Sequence, residues 1–185
     1  VIKNNNYWIT WQNVDQATTL GVEFEARKRL DILHSALSNF MAGGNVSLIH
    51  SDVDISDKEL EIMRAINPEA EASRPFQGQS PYLLNLNISY DNPQNGLATS
   101  LYYNIFGERL AAIGKGGTPD IYEQPAAMLN YSLSKRIGKH LSFKFAVNNI
   151  LDAKEKKMHE FKGNDYITMR YQSGRTFSLG LKYNL

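Results

Sequence analysis

The sequence contains no cysteine among its 185 residues. This absence excludes a disulfide framework, a cysteine-ligated metal and a thiol nucleophile. Net charge is nearly absent as well, because the formal value at pH 7 is +1. Nucleic-acid binding usually requires a strongly basic surface, and this balance of charges does not predict one. Long hydrophobic runs are also missing, and none approaches the roughly 20 residues that a membrane-spanning helix needs. A barrel in a membrane remains open, since only alternate residues of its strands face lipid.

Alternation of apolar and polar residues is the strongest pattern in the chain, and it is typical of β-strands. In the last segment the apolar positions share one face: Phe177, Leu179, Leu181, Tyr183 and Leu185. The same pattern predicts strands over 20–26, 84–90, 97–105, 129–134 and 141–148, and weaker patterns predict two more over about 4–13 and about 40–51. The total is about eight strands.

The predicted connections differ in length at the two ends of the strands. Short turns are expected at 91–96, 136–140 and, somewhat longer, at 31–39. Long polar loops are expected at 52–80, 109–121 and 151–172. Transmembrane barrels have short periplasmic turns and long extracellular loops. The lengths therefore favour an antiparallel transmembrane β-barrel.

Two local features modify this plan. Gly43 and Gly44 predict a bulge or a bend in the strand over about 40–51. In the first long loop, near-helical spacing of apolar residues predicts a helix over 57–66, stopped by Pro68. Ser56 and Glu59 have the spacing of a capping box for this helix.

Three features favour lipid over a dry core on the apolar face. The opposite face is small and mostly uncharged, whereas a soluble surface carries more Lys and Glu. Tyr90, Phe106, Tyr131 and Tyr183 lie near strand ends, where the aromatic girdles of membrane barrels lie. Strands of about 10 residues match the length needed to cross a bilayer at a tilt. The alternatives left open are a complete eight-stranded membrane barrel with a structural or adhesive role and a soluble β-barrel or sandwich binding module.

Five strings are informative in combination. They occupy residues 13–25 (Asn-Val-Asp-Gln-Ala, then Gly-Val-Glu-Phe-Glu), 78–85 (Gly-Gln-Ser-Pro-Tyr-Leu-Leu-Asn), 89–91 (Ser-Tyr-Asp), 147–152 (Val-Asn-Asn-Ile-Leu-Asp) and 174–181 (Gly-Arg-Thr-Phe-Ser-Leu-Gly-Leu). Their order and spacing resemble the C-terminal strands of the TonB-dependent outer-membrane receptors. The resemblance covers nearly the whole chain.

The resemblance implies that residues 1–185 are the C-terminal strands of a barrel of about 22 strands. Such receptors import an iron chelate, a cobalamin or a glycan, and TonB supplies energy through an N-terminal plug domain. The plug is not in this sequence, and the start at Val1, without Met or signal peptide, reads as an interior cut. The implied surroundings are membrane lipid and lipopolysaccharide of the outer membrane. Members often end in an aromatic residue read by the barrel-assembly machinery, whereas this chain ends in Leu185.

Few residues have the pattern of a functional site. Tyr122, His50 and His159 lie in or near the predicted long loops, so they are candidate ligand contacts at the cell surface. No histidine pair has the spacing of a helical metal site, and no catalytic set can be placed from spacing, so neither a cofactor nor an enzyme is expected.

Two further strings are weak candidates. Asp52, Asp54 and Asp57 have oxygen-ligand spacing but lack the EF-hand pattern, so a solvated acidic loop that caps the helix is favoured over a calcium site. The mixed-charge run 154–157 is expected to be a solvated loop, with contact to the anionic outer leaflet as the alternative.

Overall fold

The computed structural model describes residues 16–183. Within this range the chain forms twelve strands and one α-helix, α1 (Asp57–Ile66). The strands are β1 (Ala17–Arg29), β2 (Phe40–Asp54), β3 (Ser73–Arg74), β4 (Tyr82–Asn92), β5 (Leu97–Phe106), β6 (Arg109–Ala112), β7 (Ile121–Glu123), β8 (Met128–Ile137), β9 (Leu141–Asn148), β10 (Glu155–Phe161), β11 (Asn164–Tyr171) and β12 (Thr176–Tyr183). Two short 3-10 helices, 30–32 and 35–37, lie between β1 and β2.

Seven long strands form one antiparallel main sheet in the order β1-β2-β4-β5-β8-β9-β12, with short β3 added beside β2. These seven strands match seven of the eight predicted from alternation. Within residues 16–183, each observed strand covers the whole of its predicted range. The remaining prediction, over about 4–13, lies outside the described residues, as does Leu185. The predicted all-β, antiparallel architecture is confirmed.

Strand register places apolar side chains beside one another across the main sheet. One row contains Phe24, Val46, Leu84 and Ile105, and another contains Leu133, Phe145 and Leu179. A one-residue slip would move every such side chain to the other face, so the period-two pattern fixes the register. The result is a continuous apolar face, called here the apolar face of the main sheet.

The opposite face is polar and rich in amides and hydroxyls. Asn45, Asn85 and Asn104 lie side by side on β2, β4 and β5, and the Asn85 Nδ2 donates to Asn45 Oδ1 at 2.8 Å. In another row across the same face, Ser89 on β4 lies beside Ser100 on β5, and Ser100 lies beside Ser132 on β8. Neutral groups that donate and accept hydrogen bonds are well suited to a wet surface.

The tight turns form as predicted. Gly96 follows Asn95 with φ of +66°, and Gly138 has φ of +62°, a conformation that glycine adopts without a steric cost. The Asn95 side chain also accepts a hydrogen bond from the Leu97 N–H at 2.9 Å. Short turns therefore lie at one end of the main sheet, and the long connections lie at the other.

The predicted bulge at Gly43 and Gly44 is wrong. Pairing of β2 with both β1 and β4 passes through the two glycines without a change of register. The glycines instead allow close approach: a Cβ on Gly43 would lie 2.7 Å from Asn87 Oδ1, and one on Gly44 would lie 2.7 Å from Leu86 Cδ2. Because glycine has no side chain, these two positions leave room for side chains of the neighbouring strand.

Helix α1 has the predicted bounds, but the predicted capping box does not form. Ser56 is the N-cap residue and makes no side-chain cap hydrogen bond. The carboxylate of Glu59 points away from the cap and pairs with Arg74 instead. Among residues 16–183, no helix has both the length and the hydropathy to cross a membrane.

The long connections contain a second sheet that alternation did not predict. Strands β11, β10, β7 and β6 pair in that order to form the loop sheet. Each of its strands continues a main-sheet strand after a short break, since β6 follows β5, β7 precedes β8, β10 follows β9 and β11 precedes β12. Leu110 on β6 is fully buried there. The expected loop at 151–172 is therefore mostly sheet, including the mixed-charge run, which enters β10, whereas the expected loop at 109–121 is sheet only at its two ends.

Asn149 links β8 to the two connections on either side of the β10–β11 hairpin, directly after β9 ends. Its backbone has a positive φ of 55°, its N–H donates to Asn130 Oδ1 at 2.9 Å, and its side chain is buried. The Asn149 Nδ2 donates to the Gly174 carbonyl at 3.0 Å, and its Oδ1 accepts from the Ala153 N–H at 2.8 Å. The string at 147–152 thus has a structural role at the base of the loop sheet.

Candidate functional site

A cavity of about 850 Å³ lies at the long-loop end and is called here the loop-end cavity. Its walls come from the end of β2, the segment around α1, the connection before β7 and the β10–β11 hairpin. Tyr122, His50 and His159 all line it. The three residues that the sequence singled out as candidate ligand contacts are distant in the chain, and the fold brings them to one cavity.

Carboxylates dominate the charge of the cavity wall. Seven of them line the cavity, against the two cationic side chains Arg74 and Lys162. The carboxylates are Asp52, Glu69, Glu71, Glu108, Asp120, Glu160 and Asp165. A concave wall with an excess of one charge sign focuses the electrostatic potential, so this excess of carboxylates favours cationic or hydrogen-bond-donating groups in the cavity.

Tyr122 lies at the centre of the loop sheet, outside the main sheet. It pairs with Leu110 on one side and Met158 on the other. Burial raises the pKa of the Tyr122 phenol above its ordinary value of 10.0, and the charges of Asp120 and Glu108 raise this pKa further. The phenol therefore stays a neutral hydrogen-bond donor in the cavity over the whole physiological range.

We expect the Tyr122 phenol to be more than half protonated at pH 10.0, where an unperturbed tyrosine is half ionised. Above pH 10.0 the unfolded chain releases this proton before the folded chain does, so the contribution of Tyr122 to stability is complete below pH 10.0 and is lost as pH rises. Ultraviolet difference titration of the chain against Tyr122→Phe measures this pKa. A phenol that ionises at or below pH 10.0 would contradict the expectation.

The four histidines divide between the two ends of the main sheet. His159 has its ring 5.5 Å from the ring of Tyr166, and His50 lies near the end of β2. His34 accepts the Ala36 N–H at its Nδ1 in the β1–β2 connection, and His140 stacks on Tyr183 at 5.8 Å after the turn at Gly138. Only the first two line the loop-end cavity.

The acidic string forms no cluster in the fold. Asp52 and Asp54 belong to β2, which extends further than the predicted 40–51, and Asp57 begins α1. An acidic residue in the first turn interacts favourably with the helix dipole. Across residues 16–183, no group of three or more His, Asp or Glu side chains is placed to hold a metal ion.

Arg74 is a site residue that the sequence did not reveal. A lone arginine in a polar loop has no distinctive spacing, and its partners are 15 and 46 residues away in the chain. Its guanidinium is only 7% exposed and pairs with Glu59 and Asp120. It thus joins two different loops at the wall of the cavity.

A second cavity, of about 580 Å³, lies along the polar face of the main sheet. Five asparagines line it together with Tyr102: Asn45, Asn85, Asn87, Asn104 and Asn130. Glu25 and Arg27, 4.0 Å apart, also line it. The sequence predicted the polar face, and strand register adds the side-by-side placement of the amides.

On the other face, the C-terminal strand presents large apolar side chains to the surroundings. The exposed fractions of Phe177, Leu179, Leu181 and Tyr183 are 65%, 71%, 71% and 66%. Leu20, Val22 and Phe24 on β1 are similarly exposed. Water-soluble monomers rarely expose so large a contiguous apolar surface.

A family model of the TonB dependent receptor-like β-barrel matches residues 2–150. The chain belongs to this family. Its two-faced antiparallel sheet is therefore part of a TonB-dependent receptor barrel, a family of receptors and transporters of the outer membrane. No match was found among curated proteins or among solved structures.

Proposed function

We propose that this TonB-dependent receptor barrel takes up a scarce nutrient by an energy-coupled route and captures it at the loop-end cavity. The observation that carries the proposal is the two-faced main sheet, with a continuous apolar face opposite an amide-rich face. Lipid on one side and water on the other account for such a sheet, because lipid-facing and lumen-facing residues alternate along barrel strands.

In this proposal the C-terminal strand faces lipid through Phe177, Leu179, Leu181 and Tyr183. Residues 1–185 supply C-terminal strands of a barrel of about 22 strands. The plug domain, which contacts TonB, belongs to the same protein outside these residues. Membrane lipid, lipopolysaccharide and the barrel-assembly machinery are the expected partners of the wall. The ligand belongs to the classes that the family imports: an iron chelate, a cobalamin or a glycan.

The loop-end cavity supports the assignment of the capture site. His50, Tyr122 and His159 come from three separate parts of the chain and line one cavity. Tyr122 and His159 lie on the loop sheet, which is anchored by fully buried Leu110 and by the pair of Arg109 and Glu123 at 2.9 Å. Side chains on a rigid sheet bind at a lower entropic cost than side chains on mobile loops.

An uptake experiment tests this function. Cells that make the intact receptor are given a radiolabelled ferric chelate, cobalamin or neutral oligosaccharide. We expect uptake of one probe, abolished by a proton uncoupler. A triple variant, His50→Ala with Tyr122→Ala and His159→Ala, should lower that uptake by about tenfold, corresponding to ~1.4 kcal/mol of lost binding.

The control is His34→Ala, at the opposite end of the main sheet, which should leave uptake unchanged. Surface levels of each variant are measured by outer-membrane fractionation. Recovery of the protein as a soluble monomer, or uptake that the triple variant leaves intact, would overturn the proposal.

A further inference from the structure

Arg74 joins two loops that leave different strands of the main sheet. Its Nη2 lies 2.5 Å from Glu59 Oε1 on α1, and its Nη1 lies 3.2 Å from Asp120 Oδ1 in the connection between β6 and β7. The same Asp120 oxygen accepts the Gly114 N–H at 2.8 Å, which closes the 113–120 turn on itself. One guanidinium with five donors can serve both carboxylates at once.

The two loops also touch through an apolar contact. Gly117, at φ of +81°, lies so close to α1 that a Cβ in its place would overlap Ile66 Cδ1. Arg74 Nη2 lies 3.8 Å from Met63 Sδ on the same helix. The turn at 113–120 therefore packs directly on α1, beside the ion pairs.

Arg74 itself is fixed to the main sheet. Strand β3 pairs with Val53 and Asp54 at the end of β2, and the Phe76 N–H donates to Ser51 Oγ at 3.1 Å. By contrast, α1 has no buried residue of its own. Position of the helix therefore depends on Arg74 and on the contact with Gly117, because a helix without buried side chains gains little from packing.

Both joined segments line the loop-end cavity. Met63 comes from α1, and Gly117, Thr118 and Asp120 come from the 113–120 turn. Segments with few buried contacts open locally at low free-energy cost. Arg74 holds these two against that opening, since a buried cation that loses its partner is left uncompensated.

We propose that α1 and the 113–120 turn form a single two-part lid on the loop-end cavity, fastened by Arg74 and released as one unit when its ion pairs break. Release of the lid widens the mouth of the cavity. The coupling between the two parts is a property of the fold, and it holds whichever ligand the cavity takes. Its test is therefore independent of the uptake experiment.

Amide hydrogen exchange of the intact receptor, folded in detergent micelles, measures the coupling. In Arg74→Met, exchange over 57–66 and over 113–120 should speed up together, by about tenfold or more. Exchange in β4, β5 and β8 should stay slow, which shows that the main sheet remains folded. Arg74→Lys keeps the positive charge but lacks the planar guanidinium that reaches both carboxylates. Both segments should therefore exchange at rates between those of the unmodified receptor and of Arg74→Met.

Arg109→Met is the matched control. Arg109 lies 4.3 Å over the Phe106 ring and pairs with Glu123 at the base of the β6–β7 hairpin, so its loss removes an arginine ion pair and leaves both ion pairs of Arg74 in place. We expect no change over 57–66 in this variant. Should Arg74→Met fail to fold, Glu59→Gln keeps Arg74 paired with Asp120 and is expected to speed exchange over both segments. Acceleration of one segment alone, or of neither, in a folded variant would overturn the coupled lid.

Discussion

Leu179→Arg is expected to destabilise the intact receptor in phospholipid vesicles by about 2–4 kcal/mol, the cost of an arginine on the lipid face near the bilayer midplane. Leu179 lies in the middle of β12, beside Phe145, and its side chain is among the most exposed apolar groups in the described part of the chain. A charge at this position must enter hydrocarbon if the apolar face contacts lipid. Urea unfolding followed by tryptophan fluorescence measures the free energy of unfolding.

The neighbouring residue supplies the control. Ser178 lies on the opposite face of the same strand, beside Ala146. Ser178→Arg places the same charge towards the aqueous side, so its cost should be small compared with that of Leu179→Arg. If Ser178→Arg were the more harmful change, the polar face would be the one shielded from water and the assignment of the two faces would be reversed.

Asn149→Ala is expected to cost about 3 kcal/mol of unfolding free energy, because it leaves buried hydrogen-bonding groups without partners. The Gly174 carbonyl loses its donor and the Ala153 N–H loses its acceptor. Alanine also adopts the positive φ of this position less readily than asparagine. The same urea unfolding experiment in vesicles gives the value.

Two substitutions separate these causes. Asn149→Gly loses the same side-chain hydrogen bonds but relieves the backbone, so it should be less harmful than alanine. Asn164→Ala removes an exposed asparagine whose Nδ2 donates to the nearby Lys162 carbonyl, and it should change stability by less than about 0.5 kcal/mol. An Asn149→Ala variant as stable as Asn164→Ala would show that the buried hydrogen bonds of Asn149 make no net contribution to the free energy of unfolding.

Much of the main sheet could be predicted from the sequence, because a strand with one apolar and one polar face alternates apolar and polar residues along the chain. The alternation from Phe177 to Tyr183 located β12, and the Asn95-Gly96 signal located the β4–β5 turn. Helix α1 was equally predictable, since Leu60, Met63 and Ile66 have helical spacing and Pro68 follows.

The loop sheet and the lid were not predictable in the same way. Strand β7 has three residues and β6 has four, too few for a period to emerge. Glu59 has the spacing of a capping box, yet a buried arginine from another segment outcompetes the local bond. The Gly43-Gly44 pair signals close approach as well as bulges, and only the neighbouring strands decide between the two.

The cavity was predictable only in part. Loop position alone selected Tyr122, His50 and His159, and their common cavity depends on long-range pairing of β7 with β10. Arg74 and the row of asparagines depend on such pairing too, because each acquires its neighbours from a distant strand. Sequence spacing predicts contacts between residues that are near in the chain, whereas these sites depend on contacts between distant segments.

The strand-for-strand continuity between the two sheets has a consequence for how the receptor can change over evolutionary time. Hairpin tips such as Lys162-Gly163 project from a platform whose hydrogen bonds come from the backbone. With ligand capture at the loop end, as proposed, substitutions at the tips alter what is recognised while the platform keeps its shape. A receptor built this way can acquire new specificity through a handful of surface changes, without a new way of folding its wall.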